Sequence, residues 1–132
     1  MLHAEQKLSK EERLKSRKRI SELFEDGQVV YGHPFKALFK LKNKEEQKFP
    51  VQIAISVSKK NFKFAVNRNQ IKRKVRESYR RNKHLLYKNL EKSDQNLTIF
   101  VIYTAKNDLE FATIEEFMIL FLKKLVNKLH LS

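Results

Sequence analysis

Residues 51–81, VQIAISVSKKNFKFAVNRNQIKRKVRESYRR, change their hydrophobic period halfway along. Val51, Ile53, Ile55 and Val57 alternate with Gln52, Ala54, Ser56 and Ser58, a period of two that marks a strand. Lys59–Phe64 is a basic loop, and from about Asn67 to Tyr87 the period becomes helical. Ile71, Val75, Ser78, Tyr79 and Leu86 fall near one face there. On the other side Arg68, Lys72, Arg76 and Arg80 stand four apart and form a cationic ridge, widened by Asn69, Arg73 and Lys83. Like charges at that spacing repel by a few tenths of a kcal/mol per pair, so folding alone gives no reason for the ridge. A phosphate backbone does, because each neutralised phosphate releases a condensed counterion, and arginine matches phosphate oxygens with paired donors.

Working outward, residues 10–26 read as a short helix with Leu14, Ile20, Leu23 and Phe24 on its apolar side and Gly27 as its stop. Residues 1–9 read as a flexible N-terminal arm. Val29–Lys42 is extended and broken near Gly32-His33-Pro34; Phe35, Ala37, Phe39 and Leu41 alternate there with Lys36, Leu38, Lys40 and Lys42. Asn43–Lys48 and Asn89–Asn96 are polar connections. Leu97–Tyr103 is rich in β-branched and aromatic residues and reads as a buried strand. Thr113-Ile114-Glu115-Glu116 has the form of a capping box opening a strongly amphipathic last helix, with Glu116 in the capping role. The expected fold is therefore α+β: one domain over 10–130, a mixed, mostly antiparallel four-stranded sheet packed with three helices. The order is helix-strand-strand-strand-helix-strand-helix, a ribosomal-protein-like split β-α-β.

The chain has 132 residues, with 29 Lys and Arg against 15 Asp and Glu, a net charge of +14. The excess is local. Residues 59–92 hold 13 Lys and Arg against two Glu. Such a block suits a polyanionic partner better than it suits solubility. Two glycines, Gly27 and Gly32, exclude glycine-rich phosphate loops, and the absence of cysteine excludes disulfides and thiolate chemistry. No signal-peptide pattern opens the chain, and its longest apolar runs fall far short of the ~20 residues that span a bilayer. A soluble cytoplasmic protein, not engaged with membranes, is expected. His3, His33, His84 and His130 lack ligand spacing, and the pairs Glu45-Glu46 and Glu115-Glu116 point apart, so neither a metal site nor a two-carboxylate centre is expected. Glu77 is expected to pair with Arg73, Arg80 or Arg81.

Ala65-Val66-Asn67-Arg68-Asn69-Gln70-Ile71-Lys72-Arg73-Lys74-Val75-Arg76-Glu77 resembles the signature of a known family, the protein subunit of bacterial ribonuclease P, whose form is close to A-V-x-R-N-x-I-K-R-x-x-R-E. Ser56–Lys60 is similar to the strand end that leads into that signature, and Leu14–Gly27 to the family's first helix; the resemblance spans about residues 8–128. Two departures stand out. Gln70 replaces the family's usual second arginine, and Asn61-Phe62-Lys63-Phe64 lacks its usual glycine. The resemblance implies a protein that binds a large catalytic RNA and the 5′ leader of precursor tRNA, and assists removal of that leader. It implies an endonuclease whose catalytic centre and magnesium ions lie on the RNA, with no catalytic residue, metal or cofactor on this chain. It further implies RNA contacts at Lys59, Lys60, Arg68, Asn69, Lys72, Arg73 and Arg76, to which the ridge adds Arg80. It implies a leader cleft at Ile20, Phe24, Phe35 and Leu38, where aromatic rings stack unpaired bases at ~1–3 kcal/mol each. Packing in the core is the competing reading of Phe24 and Phe35. The partners implied are the catalytic RNA and precursor tRNA, with no protein partner required of a monomer. The rival readings are a ribosomal or other structural RNA-binding protein of similar fold, and an autonomous metal-dependent nuclease.

Overall fold

The computed structural model describes residues 8–44 and 49–131; the N-terminal arm expected at 1–9 lies outside them except for its last two residues. A 3-10 turn at Lys10–Glu12 is followed by α1 (Arg17–Asp26), β1 (Gln28–Gly32), β2 (Phe35–Asn43), β3 (Val51–Val57), α2 (Ala65–Asn82), α3 (His84–Leu90), β4 (Gln95–Tyr103) and α4 (Phe111–Leu131). The architecture is α+β. One four-stranded mixed sheet runs in the order β1-β2-β4-β3. Strand β2 pairs antiparallel with β1 on one side and β4 on the other, and β3 lies parallel to β4. The β-α-β unit is β3-α2-α3-β4, and its two strands are direct neighbours, with no strand dividing them.

Register sorts the side chains of the sheet into two faces. On one face, Val30, Ala37, Val101 and Ile55 form a row, and Phe35, Tyr103 and Val57 form the next. This face carries the main core. Ile71, Val75 and Tyr79 of α2, Leu86 and Leu90 of α3, and Ile114, Met118, Phe121, Leu122 and Leu125 of α4 pack on it. The other face carries a smaller cluster in which Leu14 and Leu23 meet Leu38, with Ile20, Val29, Ala54 and Phe100 around them. Helix α1 covers only part of that face. Burying a side chain such as Leu23 there contributes about 1.5–3 kcal/mol.

The helix expected over 10–26 is shorter than its pattern. Ser16 caps α1, its Oγ accepting from Arg19 N–H at 3.2 Å. Arg13–Lys15 run extended instead, because Leu14 N–H donates to Ile53 O at 2.8 Å and Arg13 pairs in parallel with Ile53 on the outer edge of β3. Gly27 ends α1 with ordinary extended backbone (φ −71°, ψ 153°), and its role is steric: a Cβ there would sit 2.5 Å from Leu23 O. Gly27→Ala is therefore expected to cost about 1–3 kcal/mol, seen as a lower urea midpoint at unchanged slope. The capping box at Thr113 is not how α4 begins. That helix starts at Phe111, with Ile114 N–H donating to Glu110 O at 3.0 Å. Glu115 is drawn sideways instead, to Arg81 at 3.1 Å and Asn82 at 3.1 Å, and Glu116 is exposed.

Strand β1 is an edge, and α4 protects it. Lys124 Nζ donates to Tyr31 O at 2.5 Å and Lys128 Nζ to Val29 O at 2.7 Å, which occupies carbonyls that another strand would otherwise find. No helix among the described residues is long and apolar enough to cross a membrane.

Candidate nucleic-acid interface

The cations of α2 divide by flank. At about 100° per residue, Ile71, Val75, Ser78 and Tyr79 point into the core, which leaves a flank on each side. Toward α4 the cations are matched by carboxylates. Lys74 meets Asp108 at 2.8 Å, and Arg81 meets Glu115 while lying 5.5 Å over the Phe111 ring. Glu77 is held by Arg80, with contacts of 2.6 and 3.0 Å. Those bonds lower the Glu77 pKa and raise that of Arg80. Arg80, one of the three partners expected for Glu77, is thus committed to a neighbour three residues away, although it also belongs to the ridge.

Toward β3 the cations have no acidic partner among the described residues. Asn69, Lys72, Arg73 and Arg76 lie on this flank, and the extended Arg13–Lys15 segment brings Arg13 and Lys15 beside them. Burial, then the charges of Arg13 and Arg73, lowers the Arg76 pKa, though a guanidinium stays protonated. Leu8, Leu14, Ile53, Ala54 and Ile55 line a groove of about 260 Å³ with Arg13, Lys15 and Arg76 at its rim. A concentration of like charge without counter-charge is costly in the free protein, and a polyanion relieves it.

The loop between β3 and α2 carries more of the same sign. Lys59 and Lys60 are exposed. Arg68 is turned back onto the loop: its Nη1 donates to Phe62 O and Lys63 O, both at 2.9 Å. It is first a clamp on the backbone ahead of α2, a role that a charge pattern alone does not reveal.

The open sheet face adjoins this flank through β3. Across the sheet, Tyr31, Lys36, Ile102 and Ser56 form one row by register, and Val29, Leu38, Phe100 and Ala54 form the next. The second row lies under α1. The first is left uncovered, with Tyr31 59% exposed and Lys36 Nζ 5.7 Å from the Tyr31 ring centroid. Further along, α1 neutralises the lysines beneath it: Lys40 pairs with Asp26 at 3.2 Å and Lys42 with Glu22 at 2.8 Å. Arg19 and Gln52, 2.6 Å apart, tie α1 to β3.

Of the four residues expected to line a cleft here, three are on this face. Ile20 is half-buried against the sheet and Leu38 is buried below it. Phe24 is 59% exposed and sets its ring edge-on to Phe100, centroids 5.3 Å apart. Phe35 is a correction. It is 1% exposed, on the opposite face, against Phe121 and Tyr103. Side chains alternate along a strand, so a residue one step from Lys36 cannot share its face. Tyr31, Lys36, Phe100 and Ile102 share the face of Leu38 and are absent from the expected set, although counting by twos from Leu38 and pairing the strands reaches them. Among the described residues, no three His, Asp or Glu side chains gather as metal ligands do.

Comparison with known proteins agrees with the signature in α2. The family model described as Ribonuclease P matches residues 8–126. The ribonuclease P protein component of Porphyromonas gingivalis is 36% identical over 111 residues, 84% of this chain and 80% of the relative. That of Chlorobaculum tepidum is 33% identical over 95 residues, 67% and 62% of the two chains. Among solved structures, the RNase P protein of Thermotoga maritima superposes with a TM-score of 0.66 at 30% identity, covering 86% of this chain and 96% of its own. The RNase P protein of Staphylococcus aureus gives 0.63 at 26%, covering 86% and 94%. The chain belongs to the ribonuclease P protein component family.

Proposed function

We propose that this chain is the protein subunit of a ribonuclease P holoenzyme that matures the 5′ end of tRNA. In this reading the flank of α2 beside β3 docks on the catalytic RNA, with Lys59, Lys60, Asn69, Lys72, Arg73 and Arg76 as contacts and Arg13 and Lys15 added to them. The uncovered row of the sheet, with Phe24 and Phe100, holds the single-stranded leader of precursor tRNA: Tyr31 and Phe24 offer rings to unstacked bases, and Lys36 offers charge to the backbone. Magnesium and the bond-breaking step belong to the RNA, and the protein acts as a single copy in the cytoplasm. The observation that carries the proposal is the division of charge on α2, paired with acids toward α4 and unpaired toward β3.

The test is reconstitution. Protein alone, given precursor tRNA and magnesium, should cleave nothing. Added to the catalytic RNA of the same organism, it should raise leader cleavage at low magnesium. Cleavage by the protein alone would overturn the reading. An unchanged RNA-catalysed rate, with tight binding to ribosomal RNA instead, would replace it with a structural RNA-binding role.

A further inference from the structure

Two phenylalanines flank Lys63 in the β3–α2 loop, and the fold treats them oppositely. Phe62 is half-buried, its ring tilted against Tyr103 with centroids 6.1 Å apart. Phe64, the residue that caps α2, makes no side-chain cap bond and is 67% exposed, as is Val66 beside it. Leaving a phenylalanine ring in water forgoes about 1.5–3 kcal/mol of burial. The loop that presents it is not loose. Phe62 N–H donates to Ser58 O at 3.0 Å, Lys60 N–H to Ser58 Oγ at 3.1 Å, and Arg68 N–H to Phe64 O at 3.2 Å. The Arg68 guanidinium holds the two carbonyls just before Phe64. The ring thus stands on a fixed backbone, which lowers the ordering cost of any partner that covers it.

The surroundings select the partner. From Ser58 to Arg76 the sequence holds no Asp or Glu, while Lys59, Lys60, Lys63, Arg68, Lys72 and Arg73 crowd the same stretch. An apolar protein surface laid over Phe64 would have to desolvate those cations without compensation. An RNA supplies both parts, a flat apolar face for the ring and phosphates for the lysines.

We propose that Phe64 is a stacking platform for an unpaired base of the RNA bound along α2, separate from the open sheet face and absent from the charge-based contact set. The proposal rests on the RNA-docking role of α2 and adds a salt-independent contact to it. Stacking places ring against base and neutralises no phosphate, so it contributes affinity without counterion release.

The chain contains no tryptophan, which makes Phe64→Trp a single fluorescent reporter. Wild type, F64A, F64L and F64W would be titrated with the catalytic RNA of the same organism at several salt concentrations, with melting temperatures checked alongside. F64A and F64L are expected to bind about 5- to 100-fold more weakly with the salt slope unchanged. F64W is expected to recover wild-type affinity, its emission quenched on binding. Three results would overturn the platform: F64A binding within twofold of wild type, full rescue by F64L, or a loss that comes with a flattened salt slope. So would a loss of binding to anionic phosphatidylserine vesicles, titrated in parallel, with RNA binding unchanged. Failure of the wild-type protein to bind the RNA at all would instead overturn the docking role beneath it, and the platform with it.

Discussion

Glu12→Gln is expected to lower the unfolding free energy by about 3–5 kcal/mol and Tm by roughly 10 °C or more. Glu12 and Lys83 are 71 positions apart in sequence, yet their side chains meet at 2.7 Å with only 2% and 5% of each exposed. The second carboxylate oxygen accepts from Ser9 N–H at 2.8 Å, and Tyr87 donates its hydroxyl to the first. Burial pushes the Glu12 pKa up, but the bonds from Lys83, Ser9 and Tyr87 outweigh it and hold the carboxyl below its usual value. Burial raises the pKa of Tyr79 and Tyr87, reinforced by Glu12 at Tyr79 and by Tyr79 and Glu12 at Tyr87, so both hydroxyls keep their protons. Glutamine keeps the shape and removes the charge, which takes from the Lys83 ammonium, in a dry site, the carboxylate 2.7 Å away. The desolvation of that ammonium, no longer offset by the carboxylate, sets the size of the effect. Combining E12Q with Lys83→Met should recover much of the loss, and the double-mutant cycle measures how much. The sign with pH follows from a folded-state pKa below the unfolded one. The stabilisation is complete above the unfolded carboxylate value, about 4.3, and fades as pH falls through the lower folded value. The gap between wild type and E12Q should therefore be flat from pH 8 to about 5 and close below. Single variants that each cost under 1 kcal/mol would sink this account.

The same pair explains where local patterns stopped being informative. A helix running on to Tyr87 is a fair reading of the apolar spacing, since Leu86 continues the phase of Ile71, Val75 and Tyr79. The chain instead closes α2 at Asn82 and opens α3 at His84, with Lys83 turned inward to Glu12. Nothing near Lys83 in sequence announces a partner in the N-terminal turn. Strand β3, the body of α2 and α4 were legible because each has one strongly apolar face and a clean period. The apolar spacing carries the first helix over Arg13–Lys15, because their bridge to Ile53 is a tertiary fact. The cationic ridge is legible as composition, but its division is not: which cations meet an acid depends on Asp108, which takes Lys74, and Glu115, which takes Arg81, and both follow β4 in the chain. Arg68 and Arg80 look alike in the pattern, yet one clamps a loop and the other holds Glu77. Phe35 enters the cleft through the resemblance alone, whereas the alternation along β2 sets it and Leu38 on opposite faces, in line with the competing reading of core packing.

That division yields the second large effect. Neutralising Lys72, Arg73 and Arg76 together should weaken binding to the catalytic RNA by about 100-fold at 0.15 M salt. It should also reduce the slope of log affinity against log salt by about two units. The slope carries the argument, because each phosphate contact releases roughly 0.7–0.9 of a counterion and three lost contacts remove about two. Neutralising Lys74, Arg80 and Arg81 removes the same formal charge from the same helix, but each of those cations is already met by a carboxylate at 2.6–3.1 Å. Beyond a few ångströms the field of such a pair is largely cancelled, and a phosphate approaching it must displace the acid or be repelled by it. This second triple variant should shift the slope by less than one unit. Both sets are surface residues outside the core, so melting temperatures should stay close to wild type and separate lost contacts from lost folding. The comparison is informative because total charge and helix are held constant and only the neighbouring acids differ. Equal slopes for the two variants would mean that RNA ignores the distinction and responds to the whole basic block, and the interface would then have to be redrawn around all faces of α2.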